Sequence, residues 1–114
     1  MRIVITDKAD ARVQATAEHI EEEFGRKAER KFKAKFREAI RLLKDNPYLG
    51  SVEPLLADRT QTYRSVVVAK LNKMVYYVED VDKIIYVVAF WDCREEHATL
   101  ARQVKYHRKH TLYF

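Results

Sequence analysis

Apolar residues recur along the chain at two spacings, and the change of spacing separates helices from strands. Ile3-Val4-Ile5 is a short unbroken run and predicts a first strand. Val13, Ala17, Ile20 and Phe24 then return every three or four residues, the period of one helix face. Thr6 or Asp7 can cap this helix, because a side-chain oxygen there accepts from the free amides of the first turn. Gly25 suits the left-handed residue that ends it. A second helix starts near Arg26, with Ala28, Phe32, Phe36, Ile40 and Leu43 along one side and Ala39 between them. It stops at Asn46-Pro47, since proline disfavours a helical conformation in the preceding residue. These two helices form an antiparallel hairpin.

Beyond Tyr63 the pattern becomes that of strands. Val66-Val67-Val68, Met74 to Val78 and Ile84 to Trp91 are apolar runs joined by the short polar breaks Lys70 to Asn72 and Glu79 to Lys83. That spacing predicts an antiparallel meander. Between hairpin and meander, Tyr48 to Thr62 contains Gly50 and Pro54 and is too long for a simple turn, so it holds either a helical turn or a mobile arm. Glu95 to Arg102 predicts a short terminal helix, and Lys105 to Phe114 is a basic and aromatic tail. The order argues for an α+β fold: an N-terminal strand, an antiparallel helical hairpin, an antiparallel sheet of three further strands and a short C-terminal helix. The helices are expected on one face of the sheet.

A length of 114 residues with 47% hydrophobic and 34% charged residues is that of one globular domain, 1-114. No apolar run approaches the ~18 residues of a membrane span. Met1 to Lys8 turns polar too soon for a secretory signal, and the lone Cys93 excludes an internal disulfide framework. A cytoplasmic location is the resulting expectation. The net charge is +5 and favours an anionic partner, either nucleic acid or an acidic protein. It is unevenly placed. Asp7 to Phe24 carries six acids and two bases, whereas Arg26 to Lys44 carries nine bases and two acids.

Alternation along the middle strand puts Met74, Tyr76 and Val78 on one face and Lys73, Val75 and Tyr77 on the other. The first set suits a core under the helices. The second either pairs a cation with an aromatic ring for RNA contact, or consists of a solvated edge lysine and a half-buried packing tyrosine. His107 and His110, with Cys93, lack the spacing of a metal site, and neither metal nor cofactor is expected. Cys93 itself reads as a small buried residue at a strand end.

Four features together carry a resemblance. A basic helix ends in Asn46-Pro47, Tyr63-Arg64 opens a strand, Lys73-Met74-Val75-Tyr76 lies in the middle strand, and the last strand runs into Trp91-Asp92-Cys93-Arg94 and on to Leu100. In these the chain resembles the RelE/ParE superfamily, the toxins of type II toxin–antitoxin modules. The resemblance implies a strand, a helical hairpin and an antiparallel sheet, and an acidic, partly disordered antitoxin as partner. It also implies one of two activities. RelE-like members cleave mRNA on the ribosome without metal, whereas ParE-like members poison DNA gyrase and cut nothing. A third outcome is a member that only binds its antitoxin. Cleavage needs a base for the 2′-hydroxyl, cations for the developing charge and an acid for the leaving oxygen. By position, Lys73 falls where RelE-like members have a catalytic arginine, Arg94 at or next to their second arginine, and Arg64 at the strand-opening arginine. Tyr77 is the aromatic neighbour of Lys73. Leu100 sits near the place of the RelE-type terminal tyrosine, leaving His97, Tyr106 and His107 as substitutes.

Overall fold

The computed structural model describes residues 1–94, 97–105 and 112–113, with side chains for residues 1–94 and 100–104. Its elements are β1 (Arg2–Ile5), α1 (Asp7–Phe24), α2 (Arg26–Asp45), β2 (Ser51–Val52), a 3-10 turn at Pro54–Leu56, β3 (Arg64–Ala69), β4 (Asn72–Glu79), β5 (Ile84–Asp92), α3 (His97–Lys105) and β6 (Leu112–Tyr113). The side chain of His97 lies outside the described residues, as do Tyr106, His107 and His110.

The sheet order is β2-β3-β4-β5-β1-β6. β3, β4 and β5 form the antiparallel meander, while β1 lies parallel to β5, so the sheet is mixed. A parallel neighbour needs a crossover between the strands, and here the hairpin is part of it. β1 has no polar face because both of its sides are covered: Ile3, Val4 and Ile5 are all fully buried.

The hairpin follows from local chemistry. Thr6 Oγ1 accepts from the Ala9 amide at 3.3 Å and starts α1. Gly25 joins the helices with φ 88° and ψ 176°. Only glycine accepts that positive φ readily, but ψ is extended rather than left-handed helical, so α2 begins at the next residue. Asn46 closes α2, its N–H donating to the Leu42 carbonyl at 2.9 Å. Phe32, Phe36, Ile40 and Leu43 form the buried stripe of α2. Phe32 and Phe36 meet the Phe90 ring edge-on, with centroids 5.9 and 6.2 Å away.

A bulge decides which residues of β5 face the hairpin. Val75 pairs with Ala89 and Tyr76 with Val87, so Val88 is the extra residue on β5. Ile85, Val87 and Phe90 therefore pack with the hairpin. Tyr86, Val88, Ala89 and Trp91 pack on the opposite side. That second side is also covered. Leu100 and Val104 of α3, Leu56 of the 3-10 turn and Tyr63 close over it, which corrects the expectation of helices on one face only. Gln103 reaches across from α3 and accepts from the Phe90 N–H at 3.1 Å, on the stretch of β5 that β1 no longer pairs.

The long loop is neither a simple turn nor an arm. Its Glu53 N–H donates to the Tyr63 carbonyl at 2.8 Å, folding the segment back on itself. Gly50 anchors it: the Gly50 N–H donates to the Tyr76 hydroxyl at 2.9 Å. A Cβ at Gly50 would stand 2.6 Å from the Ser65 carbonyl oxygen, so the approach requires glycine. Among the described residues no helix is long and apolar enough to cross a membrane.

Candidate functional site

Lys73 stands opposite Trp91 in the β4–β5 ladder, on the α3 side of the sheet. Its ammonium forms an ion pair with Glu53 and lies 4.9 Å from the centroid of the Trp91 ring. The lysine side chain is only 16% exposed, and that of Glu53 is 0% exposed. Glu53 Oε2 also accepts from the Leu55 N–H at 3.2 Å, capping the 3-10 turn. A carboxylate this deep in the protein needs a counter-charge, and Lys73 supplies it. Lys73 is not the solvated edge charge of one sequence reading: it is mostly buried and paired with Glu53.

Tyr77 is buried between two other tyrosines. Its ring meets Tyr63 edge-on at 5.7 Å and stacks on Tyr86 at 5.1 Å. Burial, with smaller contributions from Tyr86, Tyr63 and Glu79, pushes its phenol up to about 12. Because the folded value is raised, the protonated phenol's contribution to stability is complete below about pH 10 and lost as pH rises through about 12. We therefore expect an alkaline unfolding step in that window. In Tyr77→Phe the step should be shallower, read by circular dichroism alongside phenolate absorbance. An unchanged step would place its origin in other residues.

The arginines are elsewhere. Arg64 pairs with Tyr76 across the ladder, donates from Nη1 to the Gly50 carbonyl at 2.9 Å and lies 5.3 Å from the Tyr48 ring centroid. Tyr48 in turn donates its hydroxyl to Asp80. Arg64 thus fastens the loop to the sheet. Arg94 follows the far end of β5, where Asn72 pairs with Asp92. The positions of Tyr76 and Asn72 are four residues apart on β4, roughly 13 Å. Lys73 and Tyr77 share the α3 side, whereas Arg64 and Arg94 lie on the hairpin side near its two ends. The four side chains do not converge on one concave face. Cys93, expected to be buried, is exposed, and its N–H donates to the Leu71 carbonyl at 2.8 Å.

Arg94 belongs to a different constellation. Its Nε and Nη2 donate to the two Asp92 carboxylate oxygens at 3.0 and 2.6 Å, while its side chain as a whole remains 73% exposed. Asp92 is held below the usual carboxylate range, first by these hydrogen bonds from Arg94 and more weakly by the charge of Arg12. Arg12, Thr16, His19 and Phe24 of α1 line a cleft of about 440 Å³ together with Asn72, Asp92 and Arg94, and Ile20 and Phe90 add apolar lining. Phe24, which the helical spacing assigned to the core stripe, is instead 72% exposed. The sequence reading passed over Arg12 and His19. Their signal was the i, i+4, i+7 spacing of Arg12, Thr16 and His19 beside the apolar stripe, which marks a second face of the same helix.

Over residues 3–97 the chain matches the family described as ParE toxin of type II toxin–antitoxin system, parDE. The chain belongs to the ParE toxin family. This agrees with the resemblance carried by the Asn46-Pro47, Tyr63-Arg64 and Trp91-to-Arg94 motifs, and with the strand, hairpin and sheet order of the fold. No curated protein matches the chain. As a ParE-family toxin it is one half of a type II module, and membership implies a cognate antitoxin.

Proposed function

We propose that this ParE-family toxin acts by binding DNA gyrase, not by cleaving mRNA. The observation that carries the reading is the state of Lys73. It falls at the position of the RelE-type catalytic arginine, yet its ammonium is held by buried Glu53 under Trp91. A cation committed to a buried carboxylate is poorly placed to stabilise charge on a phosphate in solution. Tyr77 supports the same conclusion. With its phenol pushed up to about 12, it is a poor general base near neutral pH. Arg64 holds a loop, and Arg94 opens onto a cleft on the other side of the sheet. Binding of a target requires only a complementary surface, and the gyrase-directed activity of ParE-like members, implied by the resemblance, needs no bond to be broken by the toxin.

Two assays on the purified chain separate the activities. In the presence of gyrase and ATP, the toxin should block supercoiling or trap cleaved DNA. On translating ribosomes, primer extension should show no new mRNA ends. Ribosome-dependent cuts, with gyrase unaffected, would overturn the reading and return Lys73 and Arg94 to catalytic roles.

A further inference from the structure

We infer that the cleft between α1 and the Asn72–Arg94 end of the sheet is the target-binding site, and that its occupant is an acidic peptide segment bearing one bulky apolar side chain. The inference rests on the reading of the chain as a binding toxin and names the site through which it binds.

Charge is the first argument. Arg12, His19 and Arg94 line the cleft, and Asp92 is the acid among its lining residues. Asp92 engages Arg94 through both carboxylate oxygens, and Arg12 acts on the same carboxylate. The lining therefore carries two guanidinium groups against one carboxylate, a net positive charge. Arginine presents a planar fork that matches a carboxylate in two hydrogen bonds. With 73% of its side chain exposed, Arg94 has surface left for a second anion beside Asp92.

The apolar side of the cleft narrows the ligand class. Phe24 stands 72% exposed, and Ile20 and the buried Phe90 share the lining with it. An exposed phenylalanine ring is of the aromatic class enriched in protein interfaces relative to the rest of the surface. A volume of about 440 Å³ accommodates one large side chain with its neighbouring backbone. A nucleic-acid backbone fits less well, because it brings no apolar side chain to cover Ile20, Phe24 and Phe90. The most basic element, α2, is a separate face and does not contribute to the lining.

The test uses three surface variants of the full chain. Phe24→Ala removes the exposed apolar ring and Arg12→Glu reverses a charge. Lys35→Glu makes the same charge reversal on exposed α2, outside the cleft. All three are first shown to melt like the wild type. In gyrase supercoiling assays, Phe24→Ala and Arg12→Glu should each need at least about tenfold more toxin for half inhibition, as loss of an interface anchor does. Lys35→Glu should match the wild type. Wild-type potency in both cleft variants would overturn the inference, as would loss of antitoxin co-purification with gyrase inhibition intact. Equal weakening of binding to bare duplex DNA would overturn the peptide assignment. If the wild type leaves gyrase untouched, the proposed function fails, and growth arrest in cells then judges the cleft. Arrest retained by both folded cleft variants overturns it, and arrest lost in both supports it.

Discussion

Lys73→Ala should destabilise the fold by about 3–5 kcal/mol, because it strands a buried carboxylate without its counter-charge. Glu53 is fully buried, and its remaining partner, the Leu55 N–H at 3.2 Å, cannot neutralise it. The loss should fall toward the lower end of that range, since Lys73 retains 16% exposure and water can reach its side. The diagnostic comparison is a pair of variants. Replacing both groups by apolar residues, Glu53→Leu with Lys73→Met, removes the charge and its complement together and should recover most of the loss. Denaturant titration of the singles and the double variant measures this directly. A cost under about 1 kcal/mol for Lys73→Ala would mean that the pair is effectively solvated. The same double variant bears on function, because a toxin that works by binding should still inhibit gyrase when Lys73 has lost its charge.

Phe90→Ala should cost about 3–5 kcal/mol through lost burial and the cavity left behind. Phe90 is 1% exposed and receives the edges of both Phe32 and Phe36, so its removal loosens the contact between α2 and the sheet. At Phe90 the strand β5 is paired with β4 on one edge and held by Gln103 on the other, and α2 is bounded at its ends by Gly25 and Asn46, so the site can collapse only partly. Phe24→Ala is the internal comparison. That ring is 72% exposed, and its loss should change stability by less than about 0.5 kcal/mol. Equal costs for the two phenylalanines in chemical denaturation would show that the packing of α2 on β5 is misassigned.

Much of the architecture was legible because it is local. The helical period, a capping Thr6, Gly25 and Asn46-Pro47 each act within a few residues, and each falls where the structure starts or ends an element. The three apolar runs after Tyr63 are the three strands of the meander. Legibility ended where a residue's environment depends on distant chain. The unbroken run Ile84 to Trp91 hides the bulge at Val88, since a strand buried on both faces has no polar positions to mark its phase. Phe24 fits the apolar period of α1, yet it lies at the end of the helix, beyond the sheet that covers Val13 and Ala17.

The sequence by itself determined the helical hairpin, the meander and the superfamily, because caps, periodicity and short motifs need no knowledge of the tertiary contacts. Tertiary structure alone decided where the candidate residues sit and what they touch. Glu53, in a loop with no distinctive signal, is brought beneath Lys73 by the fold-back of that loop on Tyr63 and converts an expected phosphate-binding lysine into half of a buried ion pair. Strand alternation separates Lys73 from Arg94, and the crossing of α1 over the end of β5 gives Arg94 new neighbours in Arg12 and His19. The physical reason is the same in each case: charge and burial act through space at a few ångströms, and residue 53 meets 73, and 12 meets 94, only when the chain has folded.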